Sequence, residues 1–387
     1  MVVLYELKFN KYNLYHYLYF LALSISHLIA IFIMIFFKKN NSIFIISPKF
    51  FGNAEAIYYK FINKNSKVLY IAITFREYKR LKSKKINVFF YLNPFHVAKL
   101  FKSHSILSTH DIYFISLFKI LSTAKLVNIR HGVITLGSNS NFKTITDFVK
   151  HSKNYDRYCF LSNKELKIVQ QQLSYNFLNH YIFEFPHIEY VRNLNNHKQE
   201  LKKQMNLDSN KTYILMANTD IRNNTEAKMS LFSIHNFEYL KFLNDLVENH
   251  NTKIILKPHW KTKFSGSELE KLKSFKNIIY NIDLLENFDS ELKAISDILI
   301  TDWSTVYVDV LRNIKEIIFL DNIYPESKVI VNELIDNEFI NRIKSYSELE
   351  NKILNSLSLN DQSNTLLSLK SLLLDEQEKD YDDLIKL

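Results

Sequence analysis

The chain has 387 residues, of which 47% are hydrophobic and 23% charged, a composition that fills a folded core, excludes wholesale disorder and fits two domains of roughly 150 residues each. One cysteine, four glycines and five prolines exclude disulfide scaffolds, cysteine zinc cages, collagen-like repeats and low-complexity classes. The formal net charge of +10 comes mostly from lysine, and no nucleic-acid-binding motif is present. The charge therefore reflects compositional bias, or attraction to an anionic membrane or a phosphorylated substrate, rather than to nucleic acid.

An apolar segment lies near the N-terminus. Residues 17–37 contain no Asp, Glu, Lys or Arg, and a helix of that length is about 30 Å long, enough to cross a bilayer. Lys38 and Lys39 follow it directly. We predict that residues 1–41 form a membrane-associated segment at the cytoplasmic side of the cell membrane, either spanning the bilayer or lying in its interface. A buried core helix has the same composition and is the alternative.

From residue 42 onward, short apolar runs alternate with amphipathic stretches. Such almost continuously apolar strands are typical of a parallel sheet that helices cover on both faces. The runs are Ser42–Ser47, Val68–Ile73, Asn87–Leu92, Lys125–Ile129, Arg157–Leu161 and Tyr181–Phe185, then Tyr213–Ala217, Lys253–Leu256, Asn277–Tyr280, Asp297–Ile300 and Glu316–Leu320. The polar stretch Arg192–Ser209 interrupts them and is the predicted linker. We therefore predict an α/β protein with two doubly wound Rossmann-like domains, at residues 42–195 and 205–345, and a helical tail at residues 346–387.

The residues that follow the strands are the candidates for chemistry. Ligands of doubly wound sheets bind outside the carboxyl ends of the strands, and in a two-domain protein this position is the cleft between the domains. In the first half, one strand is followed by a loop that contains His131, a candidate general base near neutral pH. Gly132 and Gly137 in the same loop permit close approach of the backbone to a ligand. A turn shaped by glycines is the alternative explanation.

Three strand ends in the second half carry groups that bind anions. Arg222 can grip a phosphate through its forked guanidinium, and Lys257 and His259 can bind pyrophosphate oxygens after the next strand. Ser304 and Thr305 lie where a helix is expected to begin, and the N–H groups and hydroxyls of a helix start bind anions. A solvated loop or an ordinary helix cap explains each motif alone. Their recurrence at strand ends in both halves favours a ligand site.

Taken together, the loops resemble the CDP-glycerol glycerophosphotransferase family, of the teichoic-acid polymerase and primase type. The segments that carry the resemblance occur in the family's order and are Ser47–Ile57, Arg130–Leu136, Pro186–Glu189, Ala217–Arg222, Lys257–His259 and Thr301–Thr305. The last segment is the most specific, and the first accounts for Gly52. The chain departs from the family pattern where Arg130 replaces a tryptophan before His-Gly and where Pro258-His259 inverts the order His-Pro.

The resemblance implies a GT-B fold and the transfer of glycerol phosphate or ribitol phosphate from a CDP-linked donor to an acceptor hydroxyl, with release of CMP. It implies that His131 deprotonates the acceptor and that Gly52, Gly132 and Gly137 shape the loops. The donor-binding residues that it implies are Arg222, Lys257, His259, Asp302, Ser304 and Thr305. No paired-carboxylate motif adjoins a phosphate-type loop, so we expect neither metal nor cofactor. A lipid-linked or polysaccharide acceptor in bacterial wall or capsule synthesis would account for the apolar N-terminal segment.

Two other functions stay open at this point. A GT-B glycosyltransferase that uses a CMP- or UDP-sugar carries similar groups at comparable positions, and it would differ in the nucleotide released and in whether phosphate moves with the transferred group. A non-catalytic paralogue that scaffolds an assembly complex would keep its cellular function when His131 is replaced by Ala.

Overall fold

The computed structural model describes residues 14–64, 66–110, 115–132, 149–218, 230–259, 262, 264–302, 304–322, 340–374 and 381–385. The chain divides into two compact units, each built on its own parallel sheet. The first unit comprises Met1–His131, Asn141–His187 and Glu376–Leu387, and the second comprises Gly132–Ser140 and Ile188–Asp375.

The sheet of the first unit confirms the predicted parallel architecture. Over the described residues it has seven strands in the order β3-β2-β1-β4-β5-β6-β7, each parallel to its neighbours. The strands are β1 (Ile43–Ser47), β2 (Val68–Ala72), β3 (Val88–Phe90), β4 (Ser105–Ser108), β5 (Lys125–Asn128), β6 (Arg157–Phe160) and β7 (His180–Ile182). Every residue of β1 is buried, which explains why that run is apolar almost throughout. Strand β4 has no counterpart among the predicted runs.

Helices alternate with the strands of this unit. They are α1 (Leu14–Ile33), α2 (Asn53–Asn63), α3 (Phe75–Ser83), α4 (Pro94–Phe101), α5 (Ile115–Leu121), α6 (Asn163–Leu173) and α7 (Pro186–Asn195), the last of which continues into the second unit. Side-chain oxygens of Thr74, Asn93 and Ser162 accept hydrogen bonds from the first turns of α3, α4 and α6. These caps satisfy backbone N–H groups that a helix start leaves unpaired, and so they fix where each helix begins.

Helix α1 is docked on the first unit along one face. Its buried residues are Tyr19, Leu23, Ser26, His27 and Ala30, spaced so that they form a single stripe. The stripe packs against α4, and the Tyr19 hydroxyl donates to the carbonyl of Ile73 at 2.7 Å. Together with the 3-10 turn Met34–Phe36, the helix is long and apolar enough to cross a membrane by length and composition, a property shared by core helices and signal sequences.

The sheet of the second unit is smaller and also parallel. Within the part of the chain that the structure describes, it has five strands in the order β10-β9-β8-β11-β12. The strands are β8 (Thr212–Met216), β9 (Thr252–Leu256), β10 (Ile278–Ile279), β11 (Ile298–Thr301) and β12 (Glu316–Phe319). Each lies within one of the predicted apolar runs or within a residue of it, so the second α/β domain is confirmed in type.

The helices of the second unit include one that the sequence pattern hides. They are α8 (Lys198–Gln204), α9 (Phe237–Leu246), α10 (Gly266–Ser274), α11 (Ile282–Asn287), α12 (Asp289–Ile295), α13 (Val306–Val310), α14 (Tyr346–Leu357) and α15 (Asn364–Leu373). The stretch Arg192–Ser209 was predicted as a linker, yet the end of α7 and the whole of α8 lie within it. Buried Lys202 explains the misleading polarity, because its Nζ donates to the carbonyls of Ser209 and Lys211.

The C-terminal residues contribute to both units. Helices α14 and α15, which belong to the predicted tail, pack on β12 of the second unit. Leu384 lies fully buried in the apolar core of the first unit, beside β1 and β2.

Candidate active site

Both sheets have a point where the strand order reverses. In the first unit, consecutive strands run outward from β1 to β3 and then resume at β4 on the other side of β1. In the second unit the same reversal falls between β8 and β11. Ligands of doubly wound sheets bind outside the carboxyl ends of the strands at such a switch point. The side chains at these four strand ends are therefore the first candidates for chemistry.

His131 follows β5 of the first unit and is exposed. The residue before it, Arg130, adopts a left-handed backbone conformation with φ of +58°, which turns the chain sharply where the loop leaves the strand. Asn53 at the start of α2 holds this turn, because its Nδ2 donates to the carbonyl of Arg130 at 2.9 Å. The Asn53 Oδ1 accepts from the backbone N–H of His187 at 3.1 Å, so one buried amide joins three strand ends.

The Arg130 side chain is locked in a buried ion pair. Its Nη1 lies 2.9 Å from Glu165 Oε1, and the two side chains are only 6% and 1% exposed. The other carboxylate oxygen of Glu165 accepts from the N–H of Leu161 at 2.7 Å. The guanidinium also lies over the rings of Phe160 and Phe185, at 5.5 Å and 5.7 Å from their centroids. The arginine that replaces the family's tryptophan thus fills a buried site and has a charge partner there.

A second histidine lies against His131. His110 follows β4, and the two imidazole rings are stacked with centroids 4.2 Å apart and an interplanar angle of 9°. Burial lowers the pKa of His110 well below its ordinary value, and the neighbouring His131 lowers that pKa further. His110 is therefore a neutral ring at physiological pH, and its position was not predicted because β4 was not predicted.

Gly52 precedes α2, with φ of +59° and ψ of −133°. A Cβ at this position would meet nothing within 4 Å, so glycine is required here by the backbone conformation and not by lack of space. The turn directs the chain from β1 into the helix that begins with Asn53. This geometry is consistent with the loop-shaping role expected of Gly52.

The switch point of the second unit is bridged by hydrogen bonds between strand ends. Thr301 Oγ1 at the end of β11 donates to the carbonyl of Ala217 after β8, at 2.6 Å. Asn218 follows, buried, and its Nδ2 donates to the carbonyl of Phe232 at 3.4 Å. Its Oδ1 is buried without a hydrogen-bond partner among the residues that the structure describes. A buried amide oxygen without a partner costs free energy, which a hydrogen-bond donor on a ligand would recover.

Asp302, Ser304 and Thr305 follow β11. Asp302 is buried, and its carboxylate accepts from Asn322 Nδ2 at 3.4 Å while its backbone carbonyl accepts from Arg342 at 3.5 Å. The Ser304 hydroxyl accepts from the N–H of Val306 at 3.4 Å. The helix that follows, α13, has five residues and begins after Thr305, which makes no side-chain cap bond. A helix therefore begins near Ser304 as expected, but it is short.

Lys257 and His259 follow β9, where Lys257 is part of a chain of four charged groups. Its Nζ lies 2.8 Å from Asp289 Oδ1, and Lys293 bridges Asp289 and Asp309 at 2.7 Å and 2.9 Å. Burial alone would raise the pKa of Asp289, but the two lysines outweigh it and hold that pKa well below its ordinary value. Asp289 is therefore charged near neutral pH, and its ion pair holds Lys257 at the end of β9.

Some predicted site residues are not part of this geometry. Arg222 and Gly137 lie outside the described residues.

Two other predicted residues are brought together. Gly132 belongs to the second unit, and a Cβ built on it would lie 3.4 Å from Thr305 Oγ1 of the same unit. Among the described residues, no group of three or more His, Cys, Asp or Glu side chains is arranged to hold a metal ion.

Several residues in these strand-end networks have no signal in the sequence. Pairings such as Arg130 with Glu165 or Lys257 with Asp289 join residues far apart in the chain, so only the fold reveals them. Asn53 was part of the segment that carries the family resemblance, but its role in holding the His131 loop was not predicted.

Known proteins resemble this chain over nearly its whole length. The family model for CDP-glycerol:poly(glycerophosphate) glycerophosphotransferase matches residues 27–370. A histidine variant of the wall teichoic acid polymerase TagF has a TM-score of 0.64 at 14% identity, with 94% of each chain covered. Another TagF variant, soaked with CDPG, gives 0.65 at 15% identity, with 92% of this chain and 88% of that chain covered.

A structure of S. aureus MnaA with UDP gives a TM-score of 0.52 at 12% identity, covering 88% of this chain and 93% of that chain. A search of curated protein sequences finds no match. At these identities the structural likeness shows the fold, and it confirms the GT-B class expected from the sequence.

Proposed function

Because the chain belongs to the CDP-glycerol:poly(glycerophosphate) glycerophosphotransferase family, we propose that it transfers glycerol phosphate from CDP-glycerol to an acceptor hydroxyl in teichoic acid synthesis. Family membership makes it a transferase of the CDP-glycerol glycerophosphotransferase type. The observation that carries the proposal is the family match over residues 27–370, which includes every strand-end group described above.

In the proposed reaction, the acceptor hydroxyl oxygen attacks the phosphorus that carries glycerol. A new oxygen–phosphorus bond forms, the bond between the two phosphates breaks, and CMP leaves with the electron pair. His131 takes the proton of the attacking hydroxyl. An exposed imidazole on a loop fixed by Asn53 and Arg130 supports this role, since a general base must reach the substrate and keep its orientation.

The second unit is proposed to bind the donor pyrophosphate. Phosphoryl transfer depends on positioning and on neutralising negative charge. The carboxyl ends of β8, β9 and β11 present an amide at Asn218, the cation of Lys257 and the hydroxyls of Ser304 and Thr305. Donor binding by Arg222, His259 and Asp302 stays part of the proposal. Asn218 Oδ1, buried without a hydrogen-bond partner among the residues that the structure describes, is an acceptor, so it is proposed to contact a hydroxyl or amino group of the donor and not its phosphate oxygens.

Helix α1 is proposed to lie in the membrane interface at the cytoplasmic face, with a lipid-linked or polysaccharide acceptor reached from there. Its buried stripe and the bond from Tyr19 to Ile73 tie one face to the first unit, which a helix surrounded by lipid would not permit. The opposite face exposes large apolar side chains, and exposed Lys38 and Lys39 follow the helix. An apolar face beside basic residues is typical of a helix that lies in the plane of an anionic membrane.

A donor panel tests the reaction. Detergent-purified protein is offered CDP-glycerol, CDP-ribitol, a CMP-sugar and a UDP-sugar with a membrane lipid extract, and released nucleotides are separated and quantified. CMP from CDP-glycerol, with the phosphate of the glycerol end recovered in the product, is the expected result. Release of CMP from CDP-ribitol would instead identify ribitol phosphate as the transferred group. UDP from a UDP-sugar, or CMP from the CMP-sugar alone, would make the protein a sugar transferase. No product from any donor, together with no donor binding in calorimetry, would favour a scaffold.

A separate test addresses the membrane. Leu21, Leu28 and Phe32 on the exposed face of α1 are replaced together by Gln, and binding to anionic lipid vesicles is measured by flotation. We expect binding to fall about tenfold or more, because each buried apolar side chain contributes roughly 1.5–3 kcal/mol. The matched control is Ile120→Gln, which removes an exposed apolar side chain from α5 of the same unit. Equal loss in both variants would contradict the assignment of α1.

A further inference from the structure

The stacked histidines at the first switch point have a geometry that the proposed reaction does not by itself explain. His131 is exposed, whereas His110 is half-buried beneath it, ring against ring at 4.2 Å. The two residues come from the ends of adjacent strands, β5 and β4. The stack therefore joins the loop that carries the proposed base to the centre of the sheet.

Side chains at the ends of β4 and β1 hold His110 in place. Thr109 Oγ1 donates to Ser47 Oγ at 2.8 Å, which bridges the ends of β4 and β1 across the switch point. The same Thr109 oxygen lies 2.8 Å from His110 Nδ1. Because the threonine proton is used toward Ser47, its oxygen accepts from His110, which places the imidazole proton on Nδ1. Tyr155 adds a hydrogen bond from its hydroxyl to the backbone carbonyl of His110 at 3.5 Å.

The charge state of the pair follows from burial. Two protonated imidazoles stacked at this distance would repel each other, so the pair carries at most one positive charge near neutral pH. The buried ring is the one that stays neutral, since burial and the neighbouring His131 both lower the pKa of His110. His110 is thus a fixed, uncharged, flat surface against which the exposed ring lies.

We propose that His110 is a positioning residue that sets the plane of the His131 ring, and through it the direction in which the base accepts the acceptor's proton. This inference rests on the proposed function, because it gives His110 a role only if His131 is the base. Orientation of reacting groups contributes strongly to rate. Stacking fixes the plane of the His131 ring without placing a charge beside the base.

Three single variants test the proposal with CDP-glycerol as the donor. His110→Ala removes the stacking surface, and we expect kcat to fall about tenfold or more, with KM and the calorimetric Kd for CDP-glycerol changed less than about twofold. His110→Phe keeps a flat ring at the same place and is expected to restore kcat to within about threefold of the wild-type value. His96→Ala is the matched control. His96 stacks on Phe89 in the same unit at 4.1 Å but lies in α4, after β3 at the edge of the sheet, so kcat should stay within about twofold.

A double variant separates action through His131 from a general structural effect. In a His131→Ala background, His110→Ala should change the residual rate less than about twofold, because the ring that it positions is already gone. A further tenfold loss there, wild-type activity in His110→Ala, or equal impairment in His110→Ala and His110→Phe would each overturn the proposal. Failure of the proposed function is recognised separately, since transfer would then persist in His131→Ala alone. Circular dichroism and melting of each variant identify any that do not fold.

Discussion

The carboxyl ends of the strands are constructed differently in the two units. In the first, the loop with His131 is fixed by groups that are buried or half-buried, namely Asn53, the ion pair of Arg130 with Glu165, and His110. In the second, Asn218 and Asp302 are buried, whereas Lys257, Ser304 and Thr305 are partly exposed. Lys257 is held by a carboxylate that a second lysine also contacts. A proton acceptor needs one orientation, whereas a pyrophosphate with several oxygens can be bound by donors that adjust. The contrast supports separate roles for the two units.

The largest expected effect comes from removing the proposed base. His131→Ala should lower kcat for transfer from CDP-glycerol by about 10²–10⁴-fold, the usual contribution of general base catalysis, and leave the donor Kd nearly unchanged. His259→Ala in the second unit should instead weaken donor binding. Released CMP measures the first quantity and titration calorimetry the second. If His131→Ala weakened donor binding as much as His259→Ala does, the division of roles between the units would be wrong.

The next effect is on folding of the first unit. Glu165→Gln removes one charge of the buried pair and leaves the Arg130 guanidinium without its counter-ion, which should lower the free energy of unfolding by about 3–5 kcal/mol. Replacing both residues by Met should recover part of the loss, since no charge is then left buried.

Chemical denaturation, monitored by hydrogen exchange of peptides from each unit, measures the change. The control is Glu270→Gln on α10, which breaks an ion pair whose side chains are 71% and 72% exposed and should change stability little. A comparable loss in both variants would show that burial does not distinguish the two pairs.

The same contrast explains which parts of the molecule the sequence predicts. The apolar strands were found because both faces of each sheet are covered, so that hydrophobicity is almost continuous along runs such as Ile43–Ser47. Strand β4 was missed because Ser105 and Ser108 flank only two apolar residues, although all four are buried. Missing β4 also hid His110, which owes its position to the end of that strand.

The sequence predicted several candidate site residues but not the residues that contact them. His131 and the residues after β9 and β11 were recognised because strand ends in such sheets are the expected places for ligands. Their partners depend on contacts between distant segments, as when Glu165 in α6 meets Arg130 after β5. Residue type alone does not indicate such a pairing, so the sequence supplies candidates for the reacting groups but not the groups that hold them in place.

Acid should weaken the first unit before the second. His27 on α1 is buried among the rings of Tyr91, Phe101 and Phe118, and burial lowers its pKa from 6.5 to about 4. Because the folded pKa lies below the unfolded one, its stabilising effect is complete above pH 6.5 and is lost as the pH falls toward 4. The shift corresponds to about 3 kcal/mol.

His27→Phe removes this titration and keeps an aromatic ring in the cluster. The decline in stability between the two pKa values should therefore be smaller by about 3 kcal/mol in the variant, as measured by denaturation at a series of pH values. Hydrogen exchange should place the acid-sensitive opening in peptides of the first unit. Parallel acid curves for wild type and variant would mean that His27 does not contribute.

The smallest expected effect is in the second unit, at the ion pair of Lys257 with Asp289. Lys257→Met leaves Asp289 with Lys293 as a counter-ion, so we expect a smaller stability loss than from Glu165→Gln. Lys253→Met is the control, because it removes the same charge near the other end of β9. If Lys257 contacts the donor, its variant alone should raise the Kd for CDP-glycerol, and more so at low salt, since screening weakens exposed charge interactions. An equal rise in Kd for both variants would mean that the loss of one positive charge, and not a contact between Lys257 and the donor, weakens binding. No rise in either would leave Lys257 as a support for Asp289 and move donor binding to the amide and hydroxyl groups at the ends of β8 and β11.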